Sequence, residues 1–128
     1  MENFKKVLII EDEVAFQTAM ADEIRAEGLE VLTASDGQKG LEVALAEHPD
    51  LIWLDYILPK LNGIEVLKEL RKDDWGNKAH VVLLTQVFDA KVIADAVENG
   101  VSKYFVKGDN SIPAIIEETK KHINCLIK

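Results

Sequence analysis

The sequence predicts an α/β fold, a parallel sheet covered by helices on both faces. Five short runs read as strands: Val7–Ile10, Leu29–Ala34, Leu51–Leu54, Val81–Leu84 and Tyr104–Val106. Most are uninterrupted apolar stretches, the pattern of strands buried on both sides. Each is followed by a segment with helical spacing, so strand and helix alternate five times. A chain of 128 residues has the size of one domain, and residues 1–128 are read as a single unit.

In chain order, Val7–Ile10 stops at the acids Glu11, Asp12 and Glu13. Val14, Ala15, Ala19, Met20 and Ile24 give the first helix an apolar stripe, and Gly28 ends it. After the second strand, Ser35-Asp36-Gly37 supplies the turn and cap for a helix over Gln38–Glu47. Its inward positions are Leu41, Ala44 and Leu45, and His48-Pro49 closes it. The third strand ends abruptly on Asp55. Pro59, Asn62 and Gly63 then break the chain before a helix over Ile64–Lys72, with Ile64, Leu67 and Leu70 inward. Asp73–Lys78 is a polar connection. The fourth strand ends on Thr85, and the helix over Lys91–Asn99 carries Val92, Ile93, Ala96 and Val97 on its apolar side before Gly100. The fifth strand ends on Lys107. Pro113 is tolerated only in a first turn, so the last helix begins near it and runs towards Lys128.

Composition narrows the functions open to such a fold. Fifteen basic residues against 23 acidic ones leave a net charge of −8, which argues against direct binding to a nucleic-acid backbone. No apolar run approaches the ~20 residues that span a bilayer, so no membrane association is expected. The N-terminal apolar run is too short and too close to acids for a signal peptide. A lone cysteine, Cys125, excludes an internal disulfide and suits a reducing, cytoplasmic setting. His48, His80 and His122 are scattered without metal-ligand spacing. Neither Trp53, in a buried strand, nor Trp75, in a polar loop, reads as a stacking platform.

The strand ends carry the chemistry. Glu11-Asp12, Asp55, Thr85 and Lys107 terminate four of the five strands. In a parallel sheet all carboxyl ends share one edge, where open α/β folds place their sites. Three carboxylates in one cleft repel one another unless a cation joins them, and hard oxygen ligands suit Mg²⁺. A lysine and a hydroxyl beside that cation can stabilise a transferring phosphoryl group. Asp55 is then the nucleophile that forms an aspartyl phosphate.

These same stretches resemble the response-regulator receiver domains of two-component signalling, the CheY-like family, over essentially the whole chain. KVLIIEDE is similar to the family's first strand with its acidic pair, and PDLIWLDYILPKLNG to its phosphoacceptor strand and loop. VVLLT and YFVK are similar to its fourth and fifth strands. The resemblance implies a flavodoxin-like, doubly wound sheet of five strands in the order 2-1-3-4-5, with five helices. It implies that Glu11, Asp12, Asp55 and the backbone carbonyl of Ile57 hold Mg²⁺, and that Asp55 accepts phosphate. It further implies that Thr85 turns its hydroxyl to the phosphoryl group and that Lys107 pairs with it. Tyr104 then swings inward and remodels the surface of the fourth helix, fifth strand and fifth helix, a face that also implies dimerisation.

The implied function is a phosphorylation-activated switch, not an enzyme beyond assisting its own phosphorylation and dephosphorylation. Its donor is a sensor histidine kinase or a histidine phosphotransfer protein. Its target is a separate effector protein or an output domain on a longer chain. Two positions depart from the family pattern. Gln86 follows Thr85 where a small residue is usual, placing a long amide beside the phosphoryl site. Gly108 follows Lys107 where a cis proline is usual; a cis bond without proline costs ~2.5–4 kcal/mol, so a trans peptide is expected. These departures sustain one alternative, a receiver-like module that binds partners without phosphorylation. A Mg²⁺-dependent phosphohydrolase fits less well, because Ile57 stands where its second acid belongs. A flavodoxin fits less well again, because Glu11-Asp12-Glu13 would repel a flavin phosphate.

Overall fold

Because successive side chains of a strand point to opposite faces, the three central strands, buried on both sides, generate two separate hydrophobic layers. The computed structural model describes residues 6–86, 88–106 and 112–126. Strands β1 (Lys6–Ile10), β2 (Glu30–Ala34), β3 (Leu51–Asp55), β4 (Val81–Thr85) and β5 (Lys103–Val106) form one sheet in the order β2-β1-β3-β4-β5. Every pairing is parallel, with Val7 opposite Leu51, Ile52 opposite Val81 and Val82 opposite Lys103. Helices α1 (Val14–Ala26), α2 (Gly37–Glu47), α3 (Gly63–Arg71), α4 (Ala90–Glu98) and α5 (Ile112–Leu126) follow the strands in turn.

One layer joins Val7, Ile9, Leu51, Trp53 and Leu84 to Phe16, Met20 and Ile24 of α1 and Ile115 of α5. The other joins Leu8, Ile10, Ile52, Leu54 and Leu83 to Ala44 of α2, Leu67 and Leu70 of α3, and Val92 and Ala96 of α4. Trp53 lies at the centre of the first layer, fully buried between Phe16 and Phe105, with ring centroids 6.2 and 6.1 Å away. Side chains close the starts of α2, α3 and α4. Asp36 accepts from the Lys39 amide at 2.7 Å, and Asn62 and Glu65 form a reciprocal capping box. Asp89 accepts from the amides of Lys91 and Val92.

The helix faces differ from the sequence expectation in four places. Val14 is 74% exposed and Ala15 is exposed, so the buried face of α1 runs through Phe16, Met20, Ala21 and Ile24. The acidic loop sets the entry angle of this helix and turns its first two apolar residues to solvent. Leu45 and Val97 also face outward, because α2 and α4 each cover only the edge of a layer. The loops hold a further departure: the His48 imidazole stacks on the Trp75 indole, with centroids 4.4 Å apart and planes within 10°. His48 closes α2 in the left-handed conformation, at φ 49°, and this aims its ring at the α3–β4 connection. Trp75 therefore does act as a stacking platform, for a ring of its own chain.

Candidate functional site

Parallel pairing brings the strand ends into one cleft. Ile10 pairs with Leu54, which sets Glu11 beside Asp55, and Asp55 pairs with Leu84, one residue before Thr85. Glu11, Asp12 and Asp55 each offer a carboxylate oxygen within 4.8 Å of the others. Glu11 and Asp55 are buried, at 0% and 1% exposure, while Asp12 opens to solvent. Thr85 is likewise buried at the end of β4, and Gln86 beyond it is exposed.

The loops around this cleft are held by their own backbone. The Glu11 carboxylate accepts from the Glu13 amide at 3.0 Å, which curls the acidic turn. Gln17, one turn into α1, donates its side-chain amide to the Glu11 carbonyl at 2.7 Å and lies 3.4 Å from the Ala34 carbonyl. Sequence reasoning passed over Gln17, although a polar residue facing back towards the acids from the first turn was a usable sign. After Asp55, the chain folds back so closely that a Cβ on Gly63 would come within 2.6 Å of the Asp55 carbonyl. The Gly63 amide closes this turn on the Tyr56 carbonyl at 2.8 Å. Glycine is required there by the approach of backbone to backbone.

Of the other residues singled out, Ile57 lies in this loop with its side chain 53% exposed. Tyr104 sits outward on β5, 39% exposed, lining a shallow cleft with Val97, Val101 and Lys103. Lys107 and the Lys107–Gly108 peptide lie outside the described residues. The donor set fits a hard divalent cation. It supplies carboxylate oxygens alone, two of them from buried side chains whose mutual repulsion a cation relieves, with an open side towards solvent for water ligands.

A parallel five-stranded sheet with acids gathered at its carboxyl edge defines the class, and comparison with known proteins names the family. Residues 7–117 match the family model of the response regulator receiver domain. The chain is 35% identical over 105 residues to a probable transcriptional regulator, ycf27, of Cyanophora paradoxa, covering 82% of this chain and 43% of that one. It is 48% identical over 68 residues to the alkaline phosphatase synthesis transcriptional regulatory protein PhoP of Bacillus subtilis, covering 53% of this chain and 28% of that one. The chain thus spans less than half the length of these relatives. Among solved structures, it is similar to the response regulator domain of Thermotoga maritima CheB, with a TM-score of 0.84, 24% identity and 95% of each chain covered. A Francisella response regulator receiver domain matches at a TM-score of 0.83, with 25% identity and 96% of each chain covered. The chain belongs to the response-regulator receiver family. Receiver domains are signalling modules of two-component systems rather than classical enzymes, and the CheY-like strand order 2-1-3-4-5 is the one observed here.

Proposed function

We propose that the 128 residues form a single receiver domain that is switched by phosphorylation of Asp55. The observation that carries this reading is the triad of Glu11, Asp12 and Asp55 at the carboxyl edge of the sheet. An Asp55 oxygen attacks the phosphorus of a phosphohistidine, the P–N bond breaks, and the departing imidazole nitrogen takes up a proton. The donor is a sensor histidine kinase or a histidine phosphotransfer protein. Glu11, Asp12, Asp55 and the Ile57 carbonyl hold Mg²⁺, which when bound neutralises charge on the phosphoryl oxygens. A magnesium ion coordinated in the active-site cleft of a Pseudomonas aeruginosa histidine-kinase receiver of the same fold supports that assignment.

Thr85 donates its hydroxyl to a phosphoryl oxygen, and Lys107 pairs with the phosphate. Tyr104, outward in this structure, turns inward as Thr85 moves and changes the surface of α4, β5 and α5. That surface then selects an effector protein or an output domain, or pairs with a second copy. The matched relatives are named as transcriptional regulators, and a receiver of net charge −8 serves such a protein through protein contacts rather than by touching DNA. A cytoplasmic setting suits both donor and target. Among the described residues, no helix is long and apolar enough to cross a membrane.

Intact mass after incubation with acetyl phosphate and Mg²⁺ tests the proposal. Wild type gains one phosphoryl group, ~80 Da, while Asp55→Asn and wild type in EDTA gain none. Beryllofluoride, a stable phosphoryl mimic, covers the case of a short-lived adduct. Failure of both probes would leave a protein-binding module that works without phosphorylation.

A further inference from the structure

Arg71, the last residue of α3, gathers four backbone carbonyls from two loops. Its Nε donates to the Asn99 carbonyl at 2.7 Å and its Nη2 to the Gly100 carbonyl at 3.0 Å. Its Nη1 donates to the carbonyls of Gly76 at 2.7 Å and Ala79 at 2.9 Å. Asn99 and Gly100 are the two residues that leave α4, and Gly76 and Ala79 lie between α3 and β4. A planar guanidinium with five fixed donors can satisfy such a set, whereas an ammonium on a flexible stem cannot hold both loops at once. Burial lowers the Arg71 pKa from its ordinary value, and the group still carries its charge against the negative end of the α4 dipole.

Among the described residues, the two ends of α4 are held unequally. At the carboxyl end, the Val101 amide bonds the Ala96 carbonyl at 3.1 Å and the Gly100 amide bonds Val97 at 3.0 Å. The Asn99 side chain bonds the Asp95 carbonyl at 2.8 Å, and the Ser102 amide anchors the exit to Val81 of β4 at 2.8 Å. Arg71 then takes the carbonyls of Asn99 and Gly100, the next residues along the chain. At the amino end, the cap is one exposed carboxylate, Asp89, preceded by the exposed Gln86 and Phe88. Thr85, the residue that responds to phosphate, adjoins this weaker end.

We propose that Arg71 is a positioning residue that pins the carboxyl-terminal foot of α4, so that displacement started at Thr85 is confined to the helix's amino-terminal end. The helix then pivots about residues 97–101 rather than sliding along its axis. This inference rests on the phosphoswitch reading above.

Hydrogen exchange followed by mass spectrometry, with and without Mg²⁺ and beryllofluoride, tests it in wild type and in Arg71→Lys. In wild type, the exchange rate over Ala90–Ile93 changes by about tenfold on ligand binding and that over Val97–Val101 stays constant. In Arg71→Lys, the ligand-induced change spreads to Val97–Val101, while beryllofluoride still binds. Wild-type changes of equal size at both ends of α4 would overturn the inference without any variant. So would an Arg71→Lys protein whose exchange rises uniformly but whose ligand-induced pattern stays at the amino end, the mark of a merely structural arginine. Binding of beryllofluoride with no change anywhere in α4 sinks the inference and spares the acceptor role of Asp55. Absence of binding sinks both.

Discussion

The Gly37 amide donates to the Pro59 carbonyl at 3.1 Å, so the first residue of α2 is bonded to the loop that follows Asp55. The Leu61 carbonyl fills the space where a Gly37 Cβ would stand. Gly37→Ala therefore forces the Pro59–Leu61 segment away from α2. The expected loss is ~1–3 kcal/mol, read as a lower urea midpoint, with slower acetyl phosphate uptake because the loop carries Ile57.

Trp53 should tolerate loss of its N–H far better than loss of its volume. It is fully buried between two phenylalanine rings, and its indole N–H has no hydrogen-bond partner among the described residues. Trp53→Ala leaves a large cavity and costs ~3–5 kcal/mol in urea unfolding. Trp53→Phe keeps a ring in the stack and removes the buried donor, so its cost stays below ~1.5 kcal/mol.

Asp12 is the exposed member of the acidic triad, so it can be neutralised with little effect on the core. Asp12→Ala should fold normally and bind Mg²⁺ at least ~10-fold more weakly in calorimetric titration. Millimolar Mg²⁺ should raise the thermal midpoint of wild type, because only the folded chain assembles the triad, and the gain should shrink in Asp12→Ala. An equal gain in both proteins would place the cation elsewhere.

The pairing of α5 with α1 sets an alkaline limit on stability. Lys120 lies 3.3 Å from Glu27 and 3.8 Å from Glu23, and the hydrogen bond to Glu27 foremost holds its pKa above the ordinary 10.5. A lysine raised on folding stabilises the fold fully below 10.5, and that contribution is lost as pH rises through the higher folded-state value. Wild type should therefore lose stability relative to Lys120→Met once pH rises past the ordinary lysine value of 10.5, and the two should share one pH dependence near neutrality. Solvent screens this partly exposed pair, so the difference is small and best read by denaturant midpoints in low salt.

Much of this molecule was legible in its sequence because buried parallel strands write themselves as unbroken apolar runs. Leu51–Asp55 and Val81–Thr85 lie where such runs predict them, and Asp36 caps α2 as its position implied. Helix faces were less legible. Val14 and Val97 are apolar at helical spacing yet exposed, because the outward face of a helix depends on its entry angle and on how much sheet it covers. The His48–Trp75 stack and the Arg71 clamp were not legible, since each joins loops far apart in the chain and neither follows a local period. At the site, the acids that gather were those that end strands, whereas Gln17 entered through a contact of its side chain with backbone.

The placement of β3 between β1 and β4 also bears on when the acidic cleft can first form. Glu11 and Asp12 emerge early from the ribosome, but Asp55 has no second flank until Val81–Thr85 has been made and has paired. A truncated or still-emerging polypeptide thus has acids without a cleft. On the phosphoswitch reading proposed above, competence to take up phosphate would then act as a proofreading step for the chain itself, open only to a completed sheet.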